Sequence, residues 1–310
     1  MGLSIGRCLS PKRLTGKTAV ITGGNSGIGK ETAKDFYLRG CNVIIACRVP
    51  LRAQEAIDDI KRQCLRRRKV GTLDHVQMDL KSLSSIRRCA MLLQQKPKIN
   101  LLVNNAGIMA CPFSKTSDGF EIQWGVNYLG HFFFTLLLLP KLIESRPVRI
   151  INLGSIAHLY GNLDFTDLNW EKRKYSSTKA YAQSKLCMIL FTRELAKRLY
   201  YKNIHGINVY AVHPGVVKTN LYRFIEDNIS VLLSRFTSRG IFMTTPEEGA
   251  QTTIYCAVEE DLQNETGFYY ADCKRHWAAG KATHRGDAER LWIESLKYCK
   301  LENYDPFKIT

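Results

Sequence analysis

Short apolar runs alternate with longer amphipathic stretches along the chain. Residues 18–21 (Thr-Ala-Val-Ile) form a short, almost wholly apolar run, the pattern of a parallel strand covered on both faces. Further strands are predicted at 42–47, 75–78, 99–103, 148–153, 208–212 and 266–270. Helical spacing is predicted over 30–39, 50–68, 82–95, 120–139, a long stretch through 178–185, and 287–299. Strand-helix alternation over the first third implies an α/β fold: a doubly wound parallel sheet of about seven strands with helices on both faces. Residues 1–16 lack periodicity and read as a lead-in; 17–310 read as a single domain with no repeat or linker. Within it 221–245 is the least regular part, and 276–310 a C-terminal helical extension.

Composition narrows this picture. The 310 residues are 45% hydrophobic and 24% charged, enough for one large domain. No run approaches 18 consecutive apolar residues, so no membrane-spanning helix is expected. The longest near-apolar run, 132–140 with only Thr135 interrupting, reads as part of a core helix. Ten cysteines form no C-x-x-C pair and no metal-ligand cluster, and no secretory apolar segment opens the chain. Reduced thiols, no metal and a cytosol-facing protein are expected, and the two Asn-x-Ser/Thr sequons at Asn228 and Asn264 read as chance matches.

The net charge is +17, from 45 Lys plus Arg against 28 Asp plus Glu, which predicts attraction to anionic lipid surfaces or polyanions. No aromatic-interleaved basic motif or zinc module accompanies it, so nucleic acid is not an expected partner. The densest basic run, 61–69, reads as a solvated helix end. Met1-Gly2 opens a myristoylation pattern that Gly6 breaks, where Ser or Thr is wanted, and Cys8 is a candidate second lipid site.

Candidate chemistry begins after the first strand. Thr22-Gly23-Gly24-Asn25-Ser26-Gly27-Ile28-Gly29 joins that strand to a helix opening at Lys30, the order a phosphate site needs. Glycines let the backbone bend and approach closely, and the helix start offers free N–H groups. The second strand ends at Arg48 with no carboxylate there, and Lys30 and Arg52 are further cations nearby. Such a site suits a 2′-phosphate, so NADP(H) is preferred over NAD(H). Asp79-Leu80 follows the third strand and could accept from an adenine amine, and Asn105-Ala106-Gly107 follows the fourth.

Asn127 lies in a helical stretch, where its amide is either a structural clasp or a working polar group. Ser155 stands at the end of the fifth strand, and Pro214-Gly215-Val216-Val217-Lys218-Thr219 follows the sixth. Tyr181 and Lys185 are four apart, one helical turn, on one face. A phenol with a reference pKa of about 10 is a poor acid/base at neutral pH, and a fixed ammonium favours its ionised form. Bringing it near neutrality takes roughly 4 kcal/mol of differential interaction, within reach of a partly dry cleft.

Taken together, Thr22 to Gly29, Asn104-Asn105-Ala106-Gly107, Ser155, Tyr181-x-x-x-Lys185 and Pro214-Gly215 resemble, in order, the motifs of the short-chain dehydrogenase/reductase family, over about residues 17–220. Gly-Ile-Gly-Lys-Glu-Thr-Ala (27–33), Ala-Cys-Arg (46–48), Phe-Ser-Lys-Thr-Ser-Asp-Gly-Phe-Glu (113–121) and Val-Asn-Tyr-Leu-Gly-His-Phe (126–132) are similar to its retinol dehydrogenase branch. The resemblance implies a Rossmann-type NAD(P)-binding domain and hydride transfer between NADP(H) and an apolar alcohol or carbonyl, retinol/retinaldehyde first. Steroid or lipid carbonyls, or a catalytically silent cofactor-binding interaction protein, are the alternatives.

It implies Tyr181 as general acid/base, Lys185 as its electrostatic partner and ribose ligand, Ser155 as the substrate-oxygen ligand, and Asn127 as holder of a relay water. It assigns the cofactor to Gly23, Asn25, Ser26, Gly27, Ile28, Gly29, Lys30, Arg48, Asp79, Leu80, Asn105, Ala106, Gly107, Pro214, Gly215, Val217 and Thr219 beside Tyr181 and Lys185, with 221–245 as substrate lid. Gly154 departs from the Ser often found before the catalytic serine, which would loosen that turn. The branch's apolar N-terminal anchor is not matched by residues 1–16. The expected location is therefore cytoplasmic or peripheral on the endoplasmic reticulum membrane, and a homo-oligomer is compatible with the family.

Overall fold

The computed structural model describes residues 6–217 and 243–308. Its strands are β1 (Thr18–Thr22), β2 (Asn42–Cys47), β3 (Thr72–Gln77), β4 (Leu101–Asn104), β5 (Val148–Leu153), β6 (Ile207–His213), β7 (Phe268–Ala271) and β8 (Lys274–His276). They form one sheet in the order β3-β2-β1-β4-β5-β6-β7-β8. Seven pair in parallel, and β8 runs antiparallel to β7. The eighth strand, β8, adds to the seven segments read as strands, within the sheet of about seven that was expected. It folds back through Asp272 and Cys273, both at positive φ (50° and 53°), a hairpin turn made without the glycine that would have signalled it.

The helices are α1 (Gly27–Leu38), α2 (Pro50–Gln63), α3 (Leu83–Gln94), α4 (Ile122–Trp124), α5 (Gly130–Glu144), α6 (Ser177–Tyr201), α7 (Pro246–Val258), α8 (Gly280–Thr283) and α9 (Arg285–Tyr298). One core layer packs the sheet against α3, α5, α6 and α9; the other packs it against α1, α2 and α7. A π-helical turn, Gly125–Leu129, joins α4 to α5. The resulting run Ile122–Glu144 has a mean hydropathy of 1.4, enough by length and composition to cross a membrane, but 94% of its apolar window is buried inside the protein. It is a core helix, apolar all round because other elements surround it.

Helix α2 ends at Gln63, five residues short of the prediction, and 65–69 form an exposed basic turn. Strand β3 starts three residues early, at Thr72, because backbone pairing to Asn42 of β2 carries it through polar Asp74. Between β1 and β4 the strand order reverses direction, which opens a crevice at the strands' carboxyl ends.

Candidate active site

The crevice is a cleft of about 830 Å³. The glycine turn forms one wall. Gly23 is at φ +66°, and a Cβ there would meet the Ala106 side chain at 3.0 Å. A Cβ at Gly29 would lie 2.5 Å from both Asn105 Nδ2 and Gly23 O, so no other residue fits. Asn25, Ser26, Gly27, Ile28 and Lys30 line the same wall; Arg48, Arg52, Asp79 and Leu80 line the mouth. Lys30 donates to Asp59, an ion pair that pulls the Asp59 carboxyl below its ordinary range. Of the three cations expected near a phosphate, Lys30 is already paired, while Arg48 and Arg52 make no ion pair among the described residues.

Thr22, at the end of β1, ties the turn to the next strand. Its Oγ1 accepts the Asn105 and Ala106 N–H groups, each at 2.9 Å, while Asn105 Nδ2 donates to Thr22 O at 2.8 Å. The third partner of Thr22 Oγ1 is His131 Nε2, 2.8 Å away. His131 Nδ1 lies 3.0 Å from Asn127 O, which can only accept, so Nδ1 carries the hydrogen and Nε2 accepts from the Thr22 hydroxyl. Burial pushes the His131 pKa down to about 4 and keeps the ring neutral.

Asn127 sits inside the π turn, where Gly130 N–H reaches back five residues to Gly125 O. Its side chain clasps Ile108, accepting the N–H at 2.8 Å and donating to the carbonyl at 2.9 Å, and also donates to Ser184 Oγ at 3.0 Å. These bonds satisfy the amide as a clasp. A Cβ on Gly107 would stand 3.3 Å from Asn127 Oδ1 and 3.8 Å from Lys185 Nζ, so the bare backbone lies over both.

Tyr181 and Lys185 project from α6 into the floor of the cleft. The Lys185 ammonium is buried, donates to Leu153 O at 2.8 Å, and lies 5.7 Å from the Tyr181 ring centroid. Burial lowers its pKa to about 8, which still leaves it mostly protonated at neutral pH. Gly154 and Pro214 line the floor beside them. Gly154 N–H donates to Val212 O at 2.8 Å, and a Cβ there would meet that oxygen at 3.3 Å, so the glycine sits in a closed turn. Ser155 follows, its Oγ accepting from Ala157 N at 3.1 Å. Gly215 takes φ +83°, and Val217 bridges to Thr244 and packs beside Gly249 at the start of α7. Thr219 and most of the expected lid lie outside the described residues.

A buried network supports the rim. The Glu121 carboxylate caps α4, accepting Gln123 N at 3.0 Å and Trp124 N at 2.7 Å. Tyr175 OH donates to Glu121 Oε1 at 2.9 Å and accepts from Gln123 Nε2 at 2.9 Å. Gln123 also donates to Ser177 O, the first residue of α6, and accepts from Ala110 N. Thr22, His131, Glu121 and Tyr175 were not predicted as site residues. Thr22, Glu121 and His131 fall inside stretches quoted for the resemblance, but none was given a role there; Tyr175 left no sequence signal.

The family model for short chain dehydrogenases matches residues 17–230. This chain belongs to the short-chain dehydrogenase family. As such it is an oxidoreductase with a family cofactor of the NAD(P)(H) type. The chain is similar to retinol dehydrogenase 12 of Mus musculus, with 46% identity over 94% of this chain and 89% of the relative. A crystal structure of a protein from Mycobacterium paratuberculosis is 33% identical, covers 93% of this dehydrogenase and 95% of that chain, and superposes with a TM-score of 0.75. The Pseudomonas aeruginosa RhlG/NADP active-site complex is 26% identical over 83% of this chain and 94% of that one, with a TM-score of 0.64.

Proposed function

We propose that this dehydrogenase moves a hydride between NADP(H) and an apolar alcohol/carbonyl pair, retinol/retinaldehyde first among them. The observation that carries the reading is the buried Lys185 ammonium beside Tyr181, on the floor of the cleft whose wall is the glycine turn. The fit to the cofactor rests on the crowded cradle at Gly23 and Gly29 and on an arginine, with no carboxylate, at the end of β2. Arg48 takes the 2′-phosphate, Asp79 and Leu80 the adenine end, and Asn105 to Gly107 with Pro214, Gly215, Val217 and Thr219 the nicotinamide end. The retinoid preference follows the relatives' names.

When bound, the cofactor supplies or accepts the hydride. In the reducing direction Ser155 and Tyr181 donate hydrogen bonds to the substrate oxygen, where negative charge builds. Tyr181 then gives up its proton, and the Lys185 ammonium stabilises the phenolate left behind. Asn127 fixes the Ile108 segment and, through Ser184, the helix that carries both; a relay water at Asn127 belongs to the same proposal. Peripheral contact with anionic membrane, driven by the basic surface, also belongs to it.

The test is turnover of retinaldehyde and a panel of steroid and lipid carbonyls with NADPH and with NADH. Wild type should reduce retinaldehyde best, with NADPH, and Tyr181→Phe should lower turnover by about 10²–10⁴-fold. Equal, negligible turnover by both proteins on every carbonyl would falsify the reading.

A further inference from the structure

The main-chain carbonyl of Ser155 is held twice by one residue: by the His158 N–H at 3.1 Å and by His158 Nδ1 at 2.7 Å. A carbonyl oxygen only accepts, so Nδ1 carries the ring hydrogen. Nε2 is then the bare nitrogen, and it accepts the main-chain N–H of Ala279 at 3.1 Å. The ring is 1% exposed and stands edge-on to Tyr269 of β7, with centroids 5.0 Å apart. Two hydrogen bonds and one ring contact fix its plane. A second tie runs nearby, from Lys281 Nζ of α8 to Asn162 Oδ1 at 3.0 Å, so α8 and the residue before it are each pinned to the stretch after Ser155. Burial favours the neutral ring that this pattern requires.

We infer that His158 is a positioning residue: it locks the Ser155 turn against the Ala279 segment and so sets where the Ser155 hydroxyl meets the substrate oxygen. The inference rests on the role proposed for Ser155. Because Ser155 Oγ already accepts from Ala157 N, its own hydrogen is what the substrate oxygen can use, and the turn decides where that hydrogen can point. The segment before α8, which lines no part of the cleft, thereby becomes a support of the reacting geometry.

The two ring nitrogens can be tested apart. Asparagine places an N–H near the position of Nδ1 and leaves Nε2 without a replacement; glutamine does the reverse. Ala279→Pro removes only the N–H that Nε2 accepts, at a residue whose φ of −52° suits proline. With the full chain, NADPH and retinaldehyde, kcat should fall about tenfold or more in His158→Ala and His158→Gln, return to within about threefold in His158→Asn, and fall by a smaller factor in Ala279→Pro. The KM for NADPH should stay unchanged in all four. Equal losses in the Asn and Ala variants, or no loss in any, overturn the inference.

Failure of wild type to reduce any carbonyl counts against the functional reading instead. The inference is then read from imidazole ¹⁵N spectra of the folded chain. There His158 must be the neutral Nδ1-protonated tautomer, and Ala279→Pro must shift its Nε2 resonance; an Nε2-protonated ring overturns it.

Discussion

His131 reaches Asn127 O with one ring nitrogen and the Thr22 hydroxyl with the other, and these contacts need a donor and an acceptor on the same ring. Only the neutral form provides both. Burial holds its pKa at about 4, whereas an unfolded histidine titrates near a pKa of about 6.5. The unfolded chain therefore takes up a proton in that window which the folded protein refuses. The associated stability is fully present above pH ~6.5 and is lost as pH falls toward ~4. His213, also lowered to about 4 by burial, adds to the same slope. Urea unfolding across this range should show stability falling with acidification, and His131→Gln should flatten the slope; an unchanged slope would exclude His131 as its source. At the cleft mouth, Arg48→Asp should weaken NADPH binding by roughly tenfold or more while leaving NADH nearly unaffected, the size of a lost charge-assisted hydrogen bond. Lys30→Met should matter less, since Asp59 already holds that ammonium. Titration of each variant with both cofactors checks the pair of expectations.

At the scale of elements, the start of α6 and the loop that follows β4 are joined through side chains rather than by direct pairing. Gln123 contacts Ala110 and Ser177, and Tyr175 locks Gln123 to Glu121. Tyr175→Phe removes one of two donors to a buried carboxylate oxygen and leaves a Gln123 amide N–H without its partner, so it should cost about 1–3 kcal/mol in denaturant unfolding. A change below about 0.5 kcal/mol would mean the hydroxyl is replaceable. Such tertiary bonds leave no periodic trace, which is why the chain's text reveals Tyr181 and Lys185 but not Tyr175 or Glu121. The strands β1, β2, β4, β5 and β6 are legible because both faces are covered and their side chains are apolar. Strand β3, at the sheet edge, carries Asp74 and His75 and is legible only in its last residues. The π turn at Asn127 was invisible, because one extra residue in a turn does not disturb a run that is apolar on every side.

The whole molecule carries an excess of 17 positive charges, and part of it is concentrated where α2 ends. Arg66, Arg67 and Arg68 form no ion pairs among the described residues, and Leu65 beside them is 79% exposed. Cosedimentation with phosphatidylserine-containing vesicles should show binding that weakens with salt and disappears on neutral vesicles, since each basic residue near such a surface is worth about 1 kcal/mol. Equal binding to neutral vesicles would remove the electrostatic account. The buried run Ile122–Glu144 has a different bearing, on how the protein is made. A nascent chain exposes this segment before β5, α6 and α9 exist to cover it. At that stage its apolar surface is open to water and to holding chaperones. Correct biogenesis is then a race between folding and capture. Variants that slow the docking of α6 or α9 should be lost to aggregation or degradation even when their cleft chemistry is intact.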